Sequence, residues 1–182
     1  LISRLTAKGS RWQRVKQTTQ FIVGAAGESD QKIVKYMGGL YGRLGLQRIY
    51  FSAYQRGLGS PDLPGEQDLK APEAILMREH RLYQVDFLMR KYGFSDSEIG
   101  FDSDGLLSLK KDPKELWAQN HPEFFPVNIN RADKFQLLRI PGLGPVSADR
   151  ILRLRQAGKL RRIEDFARPG KLAAKVSKYI HF

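Results

Sequence analysis

The sequence predicts a mixed fold, with an α/β segment in the first half of the chain and a compact all-α module at its end. A strand–helix–strand pattern occupies residues 18–53, and short helical patterns separated by glycine turns fill residues 126–182. The charge is divided in the same way. Residues 126–182 hold 13 Lys or Arg and 4 Asp or Glu, whereas the whole chain of 182 residues has a net charge of +12. This asymmetry indicates a polyanion-binding module at the end of a nearly balanced body.

The composition excludes several kinds of site. The chain has no cysteine, which excludes disulfides, thiolate zinc sites and a cysteine-held iron–sulfur cluster within these residues. The histidines at 80, 121 and 181 have no spacing typical of metal ligands, so we predict no metal site. No apolar run approaches the roughly 18–20 residues of a membrane span, and no signal peptide is evident, so we expect a soluble, cytoplasmic protein. The chain begins with Leu1 and not with methionine, and we expect it to lack its beginning.

The first half contains a predicted βαβ unit. Residues 18–24 (TTQFIVG) have the β-branched and aromatic residues of a buried strand. A small-residue turn then leads to Ser29, the predicted N-cap of a helix that the glycines at 42 and 45 end. Residues 47–53 (QRIYFSA) form the second strand. A short crossover implies parallel pairing, and one such unit cannot bury both faces, so we expect a larger parallel sheet or barrel.

The middle of the chain is less regular. Glycines and prolines predict a long loop over residues 54–72. A helix follows from about Ala74 to Tyr92, ended by Gly93. A connector extends from there to residue 125, with one short helix that begins at Pro113.

The end of the chain reads as a series of short helices. Asn130 is the predicted N-cap of a helix that extends to Arg139, and the next helix begins at Pro145 and ends near Gln156. A single turn over residues 163–167 and a last helix over residues 172–180 complete the module. The side chains of the first helix that we expect to be buried are Phe135, Leu137 and Leu138.

The turn between the two main helices, Pro141-Gly142-Leu143-Gly144, is a candidate anion site. Its glycines allow a sharp turn while the leucine side chain points inward. The N–H groups of the turn and of the following helix then point outward together, and a DNA phosphate suits such a nest. Contacts of this kind carry no sequence information. The basic side chains that we expect to add salt-dependent attraction are Arg139, Arg150, Arg153 and Lys159.

The segment from Asn128 to Phe166 resembles the helix-hairpin-helix DNA-binding module, particularly the form found in bacterial competence DNA receptors. The matching residues are Asn128, Ile129, Asn130, Ala132, Leu137, Pro141, Gly142, Gly144, Ala148, Ile151, Gly158, Ile163, Glu164, Asp165 and Phe166. The resemblance implies non-specific binding of the duplex backbone through Pro141 and the main-chain amides of Gly142, Leu143, Gly144, Val146 and Ser147. Pro169-Gly170 suggests a second, degenerate hairpin with a structural role. The alternative is a hairpin used only for packing or protein contacts.

Residues 21–30 (FIVGAAGESD) and 48–64 (RIYFSAYQRGLGSPDLP) resemble the late part of a radical S-adenosylmethionine barrel. The order of these parts before a hairpin resembles DNA modification/repair radical SAM proteins. The resemblance implies the C-terminal portion of a (β/α) barrel over residues 1–92, a connector over 93–125 and a helix-hairpin-helix domain over 126–182. It implies S-adenosylmethionine and a [4Fe–4S] cluster in the full-length parent. The implied cofactor-binding residues are Gly24, Ala25, Gly27, Glu28, Tyr54 and Arg56.

Two functional hypotheses stay open at this point. In the first, the chain is the C-terminal portion of a radical SAM DNA modification or repair enzyme, whose missing half supplies the cluster. In the second, it is a non-enzymatic DNA-binding or scaffold protein. We predict no catalytic residue within the chain. The expected partners are duplex DNA and either the missing barrel half or a DNA repair protein, with no membrane.

Overall fold

The protein is described by a computed structural model that covers residues 2–57, 60–67 and 71–182. Leu58 and Gly59 of the predicted loop lie outside the described residues. The chain divides into two compact units. Unit 1 contains the residues up to Met89 together with Ser95–Pro113, and unit 2 contains Arg90–Phe94 and Lys114–Phe182. The expected connector therefore contributes to both units, and the expected domain boundaries stay a prediction.

Unit 1 is built around the βαβ unit that the sequence predicts. A short helix, α1 (Ile2–Leu5), precedes β1 (Thr18–Val23), α2 (Asp30–Gly42) and β2 (Arg48–Ala53). The two strands pair in parallel, with Val23 beside Ala53 at their carboxyl ends. The Ser29 side chain accepts a hydrogen bond from the Lys32 N–H at 3.3 Å, which confirms the predicted N-cap.

Two helices pack on this unit, α3 (Pro64–Gln67) and the longer α4 (Pro72–Tyr92), whose last three residues belong to unit 2. A 3₁₀ turn, Asp96–Glu98, follows Ser95. Burial of each aliphatic side chain of the core contributes about 1.5–3 kcal/mol. The fully buried side chains are Val23, Ile33, Val34, Met37, Ile49, Leu82 and Val85.

The outer edge of β2 is covered by side chains and not by another strand. Tyr41 Oη accepts a hydrogen bond from Ile49 N at 3.0 Å, and Glu79 Oε2 accepts one from Ala53 N at 2.7 Å. Between them, Tyr83 Oη accepts from Phe51 N at 3.1 Å and donates to Phe51 O at 2.9 Å. Side-chain cover of this kind protects an edge strand from further pairing.

The sheet of unit 1 therefore ends at β2. Within the described residues it contains two strands only, so the larger sheet or barrel that the resemblance implies is not seen. The hydrophobic pattern of one βαβ unit predicts its own pairing correctly, but it does not reveal that helix side chains occupy the next position in the sheet.

Unit 2 is a set of short elements closed by two very short strands. In chain order these are α5 (Pro113–Asn120), β3 (Val127–Asn128), α6 (Lys134–Arg139), α7 (Pro145–Ala157), α8 (Lys171–Val176) and β4 (Ile180–His181). Three 3₁₀ turns, Pro122–Phe124, Ile163–Asp165 and Ser177–Tyr179, lie between them. The prediction of one helix over residues 172–180 is thus wrong in its second half, because α8 ends at Val176 and a 3₁₀ turn then leads into β4. That strand pairs in parallel with β3.

The start of α6 also differs from the expectation. Its N-cap is Asp133, which forms a capping box with Gln136. Asn130 instead bonds to both backbone groups of Leu160, accepting from its N–H at 2.9 Å and donating to its C=O at 2.9 Å. Asparagine and aspartate both cap helices well. The glutamine three residues after Asp133 favours Asp133 as the N-cap, because it completes a capping box.

The core of unit 2 contains Leu137 and Leu138 as expected, but Phe135 is 61% exposed. Its ring lies against the backbone of Gly93, 2.8 Å from the position that a Cβ would take there. A second cluster packs aromatic rings around the buried Trp117, with Phe94, His121, Phe124 and Phe125 in contact with it.

Candidate nucleic-acid interface

The connection between α6 and α7 is a tight turn formed by Pro141–Gly144. Gly142 has φ +91°, a conformation that side chains disfavour. The Leu143 N–H donates to the Ile140 carbonyl oxygen at 3.1 Å, and the Leu143 side chain is buried in the core of unit 2. Pro145 is the first residue of α7, where its missing N–H costs no helical hydrogen bond. The predicted arrangement, in which a tight turn joins two helices, is therefore present.

The turn leaves several backbone N–H groups without a partner at the start of α7. The Ala148 N–H is the first to join the helical pattern, and it donates to Gly144 O at 2.9 Å. In the part of the chain that the structure describes, no group accepts a hydrogen bond from the N–H of Gly142, Gly144, Val146 or Ser147. The Val146 side chain is 84% exposed, so this end of the helix faces solvent. These donors and the positive end of the helix can together bind an anion.

Another side of the turn packs against α8. A Cβ at Gly142 would lie 3.1 Å from Leu172 Cδ1 and 3.1 Å from Val176 Cγ2, so only a glycine leaves room for this contact. Gly170 is the N-cap of α8. The helix α8 thus supports the turn from within unit 2, and the second, degenerate hairpin stays a prediction.

A buried lysine that the sequence gives no reason to single out holds the carbonyl side of the turn. Lys114 is 7% exposed, and its Nζ donates to the Leu143 carbonyl oxygen at 2.5 Å. The same Nζ lies 4.6 Å from the centre of the Tyr92 ring. The Leu143 C=O and the Gly144 N–H share one trans peptide and point in opposite directions. Holding the carbonyl inward therefore turns the Gly144 N–H away from the core.

Three of the residues predicted to contact DNA are directed into unit 2. The Arg139 guanidinium donates to the carbonyl oxygens of Tyr92 at 3.0 Å and Gly93 at 3.3 Å, and it lies 3.8 Å from the centre of the Phe94 ring. The Leu143 N–H is used within the turn, where it donates to the Ile140 carbonyl oxygen. Pro141 is buried and has no N–H to donate. The short distance in sequence from Arg139 to the turn suggested a surface role, but its side chain packs backward onto the aromatic cluster.

The other predicted basic residues are exposed. Arg150, Arg153 and Lys159 have no acidic partner among residues 2–57, 60–67 and 71–182. By contrast, Arg155 on the same helix donates to the Ala132 carbonyl oxygen at 2.6 Å and is half-buried. The only acidic residue of α7, Asp149, is paired with a lysine of α6 at 2.6 Å. The exposed positive charge of α7 is therefore carried by arginines that are available to a polyanion.

In unit 1, the glycine-rich turn after β1 is closed by its own glutamate. Glu28 Oε1 accepts a hydrogen bond from Gly24 N at 2.9 Å, and Oε2 accepts one from Ala26 N at 3.2 Å. The Ala25 carbonyl oxygen accepts a hydrogen bond from Gly65 N at 3.1 Å. The carboxylate predicted to face a cofactor is thus occupied in stabilising the turn.

The remaining predicted cofactor residues surround the same end of the sheet. Tyr54 Oη donates to Glu66 Oε1 at 2.5 Å, and this hydrogen bond raises the pKa of Tyr54. Gly24 and Tyr54 line one cavity of about 340 Å³, whereas the exposed Arg56 lines a second cavity of about 270 Å³. Gly27 lies at the edge of α3, where a Cβ would be 3.4 Å from the Pro64 Cβ.

The residues present do not fit the iron–sulfur cluster that the resemblance implies, because none of them is a cysteine and the cluster needs thiolate ligands. Within the described residues, no three His, Asp or Glu side chains come together in a way that could hold another metal ion.

Comparison with known families supports the interface in unit 2. Residues 124–178 match the helix-hairpin-helix motif family. No curated protein and no solved structure matches the chain. The match covers the turn, α6, α7 and α8, and this motif suggests nucleic-acid binding. None of the helices in the described part of the chain has the length and apolar character that crossing a membrane requires.

Proposed function

We propose that unit 2 binds the sugar–phosphate backbone of duplex DNA without sequence preference. The observation that carries this proposal is the set of unpartnered N–H groups of Gly142, Gly144, Val146 and Ser147 at the exposed start of α7. Backbone N–H groups are neutral and can donate hydrogen bonds to any phosphate of suitable geometry. They do not read base edges. The match to a helix-hairpin-helix motif supports the same partner.

Electrostatics supports a polyanion in preference to a neutral ligand. Residues 126–182 hold 13 Lys or Arg and 4 Asp or Glu, and α7 presents Arg150 and Arg153 to solvent. Neutralising phosphates releases counterions, so the affinity should fall steeply with salt and depend little on the duplex sequence.

The sharpest test changes the charge at the exposed tip of the hairpin. Val146→Glu places a carboxylate beside the proposed phosphate, whereas Val146→Gln has nearly the same size and no charge. A glutamate in the first turn stabilises a helix through the helix dipole, so a loss of binding in Val146→Glu would not be caused by unfolding of α7. At an effective dielectric constant near 20, like charges about 4 Å apart repel by roughly 4 kcal/mol, so we expect Val146→Glu to bind at least about tenfold more weakly than Val146→Gln.

Tyr36→Glu is the matched control, because Tyr36 is 55% exposed on α2 of unit 1. It adds the same charge on unit 1, outside the proposed interface, and should change the affinity little. Equal affinities of Val146→Glu and Val146→Gln for a duplex, measured by fluorescence anisotropy, would overturn the proposal. A strong preference for one duplex sequence among several of equal length would contradict recognition through the backbone.

The radical SAM enzyme and the role in DNA repair stay predictions, as does the alternative of a non-enzymatic scaffold. The order of β1, the glycine-rich turn, α2 and β2 supports the enzyme, and the absence of cysteine means that any cluster must be held by residues outside this chain. An upstream reading frame with a CxxxCxxC run would favour the enzyme, and a start codon near Leu1 would favour the scaffold.

A further inference from the structure

Unit 1 contains a cavity that the proposed DNA binding does not use. It has a volume of about 340 Å³, within the range of small-molecule sites, and it lies at the carboxyl ends of β1 and β2. Ligands of parallel α/β sheets bind at this end of the strands. Most of its lining is apolar, as in Val23, Tyr54, Ile75 and Leu107.

The acidic groups that line this cavity already accept hydrogen bonds from the protein. Asp30 is fully buried, with Oδ1 2.6 Å from Arg78 Nε and Oδ2 accepting a hydrogen bond from Leu107 N at 2.8 Å. Asp102 Oδ1 accepts hydrogen bonds from the N–H groups of Asp104 at 3.0 Å and Leu106 at 2.8 Å. Both oxygens of Asp30 and one oxygen of Asp102 are therefore already engaged by protein donors.

The Arg78 guanidinium, in contrast, has one nitrogen that donates to no described protein group. Arg78 is 9% exposed, and besides its bond to Asp30 its Nη2 donates to the Glu28 carbonyl oxygen at 2.5 Å. Its Nη1 has no acceptor among the residues that the structure describes, and it lies 3.6 Å from the position that a Cβ of Gly24 would take on the cavity wall. Arg78 lines the cavity, so a guanidinium N–H without a protein acceptor there can donate a charge-assisted hydrogen bond to a bound anion.

Lys110 adds a second positive charge to the lining. It is exposed, and it has no acidic partner in the described ranges 2–57, 60–67 and 71–182. Arg78 Nη1 and Lys110 are therefore two cationic donors at a cavity whose lining is mostly apolar.

We propose that this cavity binds a small organic anion, with one carboxylate or phosphate group against Arg78 Nη1 and an apolar body along Val23 and Ile75. The assignment disagrees with the cofactor that the resemblance implies at the same strand ends. S-adenosylmethionine carries a sulfonium and an ammonium against one carboxylate, so only one of its three charged groups is an acceptor suited to Arg78 Nη1 and Lys110. The Glu28 carboxylate, which could balance such a charge, is held by Gly24 and Ala26.

The experiment is isothermal titration calorimetry of the whole chain with paired probes. Adenosine 5′-monophosphate against adenosine tests the phosphate, benzoate against benzyl alcohol tests the carboxylate, and S-adenosylmethionine tests the alternative. We expect at least one anion to bind at least tenfold more tightly than its neutral partner and than S-adenosylmethionine. The pair that shows the difference identifies which anionic group the cavity takes.

Two variants locate the site. Ala74→Phe fills the cavity from α4 and should abolish binding of the anion without removing the Arg78–Asp30 pair, and Lys110→Met should weaken it severalfold. Val146→Glu, on unit 2, should leave it unchanged, which separates the cavity from any nucleotide bound by the DNA interface. Failure of every anion to bind, tighter binding of S-adenosylmethionine, or an unchanged affinity in Ala74→Phe would each overturn the proposal. None of these outcomes bears on the DNA-binding prediction.

Discussion

Lys114 Nζ donates a hydrogen bond to the Leu143 carbonyl oxygen at 2.5 Å, joining α5 to the turn of the hairpin. The lysine precedes residues 124–178, which match the helix-hairpin-helix motif, so the structural unit that presents the turn is larger than the motif. Trp117 on the same helix and Phe94 bring further buried surface to unit 2 from outside the matched segment.

Replacing Lys114 with methionine should weaken DNA binding without removing a DNA contact. The variant keeps most of the apolar stem but leaves the Leu143 carbonyl unsatisfied, at a cost of roughly 1–3 kcal/mol in the free energy of unfolding. We expect the affinity for duplex to fall severalfold while the slope of log K against log salt is unchanged, because the buried ammonium touches no phosphate. A slope reduced by about one would instead make Lys114 a direct phosphate contact.

Two arginines of α7 should separate binding from stability. Arg153→Gln removes an exposed charge, so the salt slope should fall by about 0.9 for one lost phosphate contact, with stability within about 0.5 kcal/mol of the parent. Arg155→Gln removes a donor to the carbonyl oxygens of Ile129 and Ala132, so it should lower the free energy of unfolding by roughly 1–3 kcal/mol. Urea unfolding and binding titrations of both variants check the pair, and a reversed pattern would contradict the placement of these side chains.

Asp165 should stabilise unit 2 at neutral pH and lose this effect in acid. Hydrogen bonds from the N–H groups of Arg161 and Arg162 lower the pKa of Asp165 below its usual value. The ionised form is therefore favoured by folding, and its contribution is present above pH about 4 and lost as the pH falls through the lowered pKa. We expect Asp165→Asn to destabilise the protein at pH 7 and to match the parent near pH 2 in chemical denaturation. An equal difference at both pH values would contradict this role.

The edge of β2 should depend on Tyr83. Tyr83→Phe leaves the N–H and C=O of Phe51 without their partner and should lower the free energy of unfolding by about 1–3 kcal/mol. Tyr50→Phe is the control, since Tyr50 is 44% exposed on the same strand, and it should change little. Thermal unfolding of the two variants side by side checks the difference, and equal melting temperatures would mean that the edge does not need its cover.

Local features were predictable because the residues that cause them are adjacent in the chain. Ser29 before a helical pattern, and Gly142 with Pro145 around a turn, specify their own backbone geometry. The strands β1 and β2 follow from runs of β-branched and aromatic residues.

Features that join distant residues were not predictable from the same patterns. Nothing near Lys114 in sequence indicates that its side chain donates to the Leu143 carbonyl oxygen. Nothing near Arg78 indicates that its side chain lines a cavity. The sequence likewise does not indicate that Arg139, which we expect to attract DNA, donates to carbonyl oxygens 46 and 47 residues earlier. The cover of β2 by Tyr83 likewise depends on a partner 32 residues away.

The short pair of β3 and β4 makes the last residues of unit 2 part of its closure. Ile129 N donates to the His181 carbonyl oxygen at 2.9 Å, and Ile180 is almost fully buried beside Val127. Removing residues 180–182 would break this pairing and expose Val127. A shortened version of unit 2 used in binding measurements should therefore keep these residues, because a chain without them would mimic a binding-defective variant.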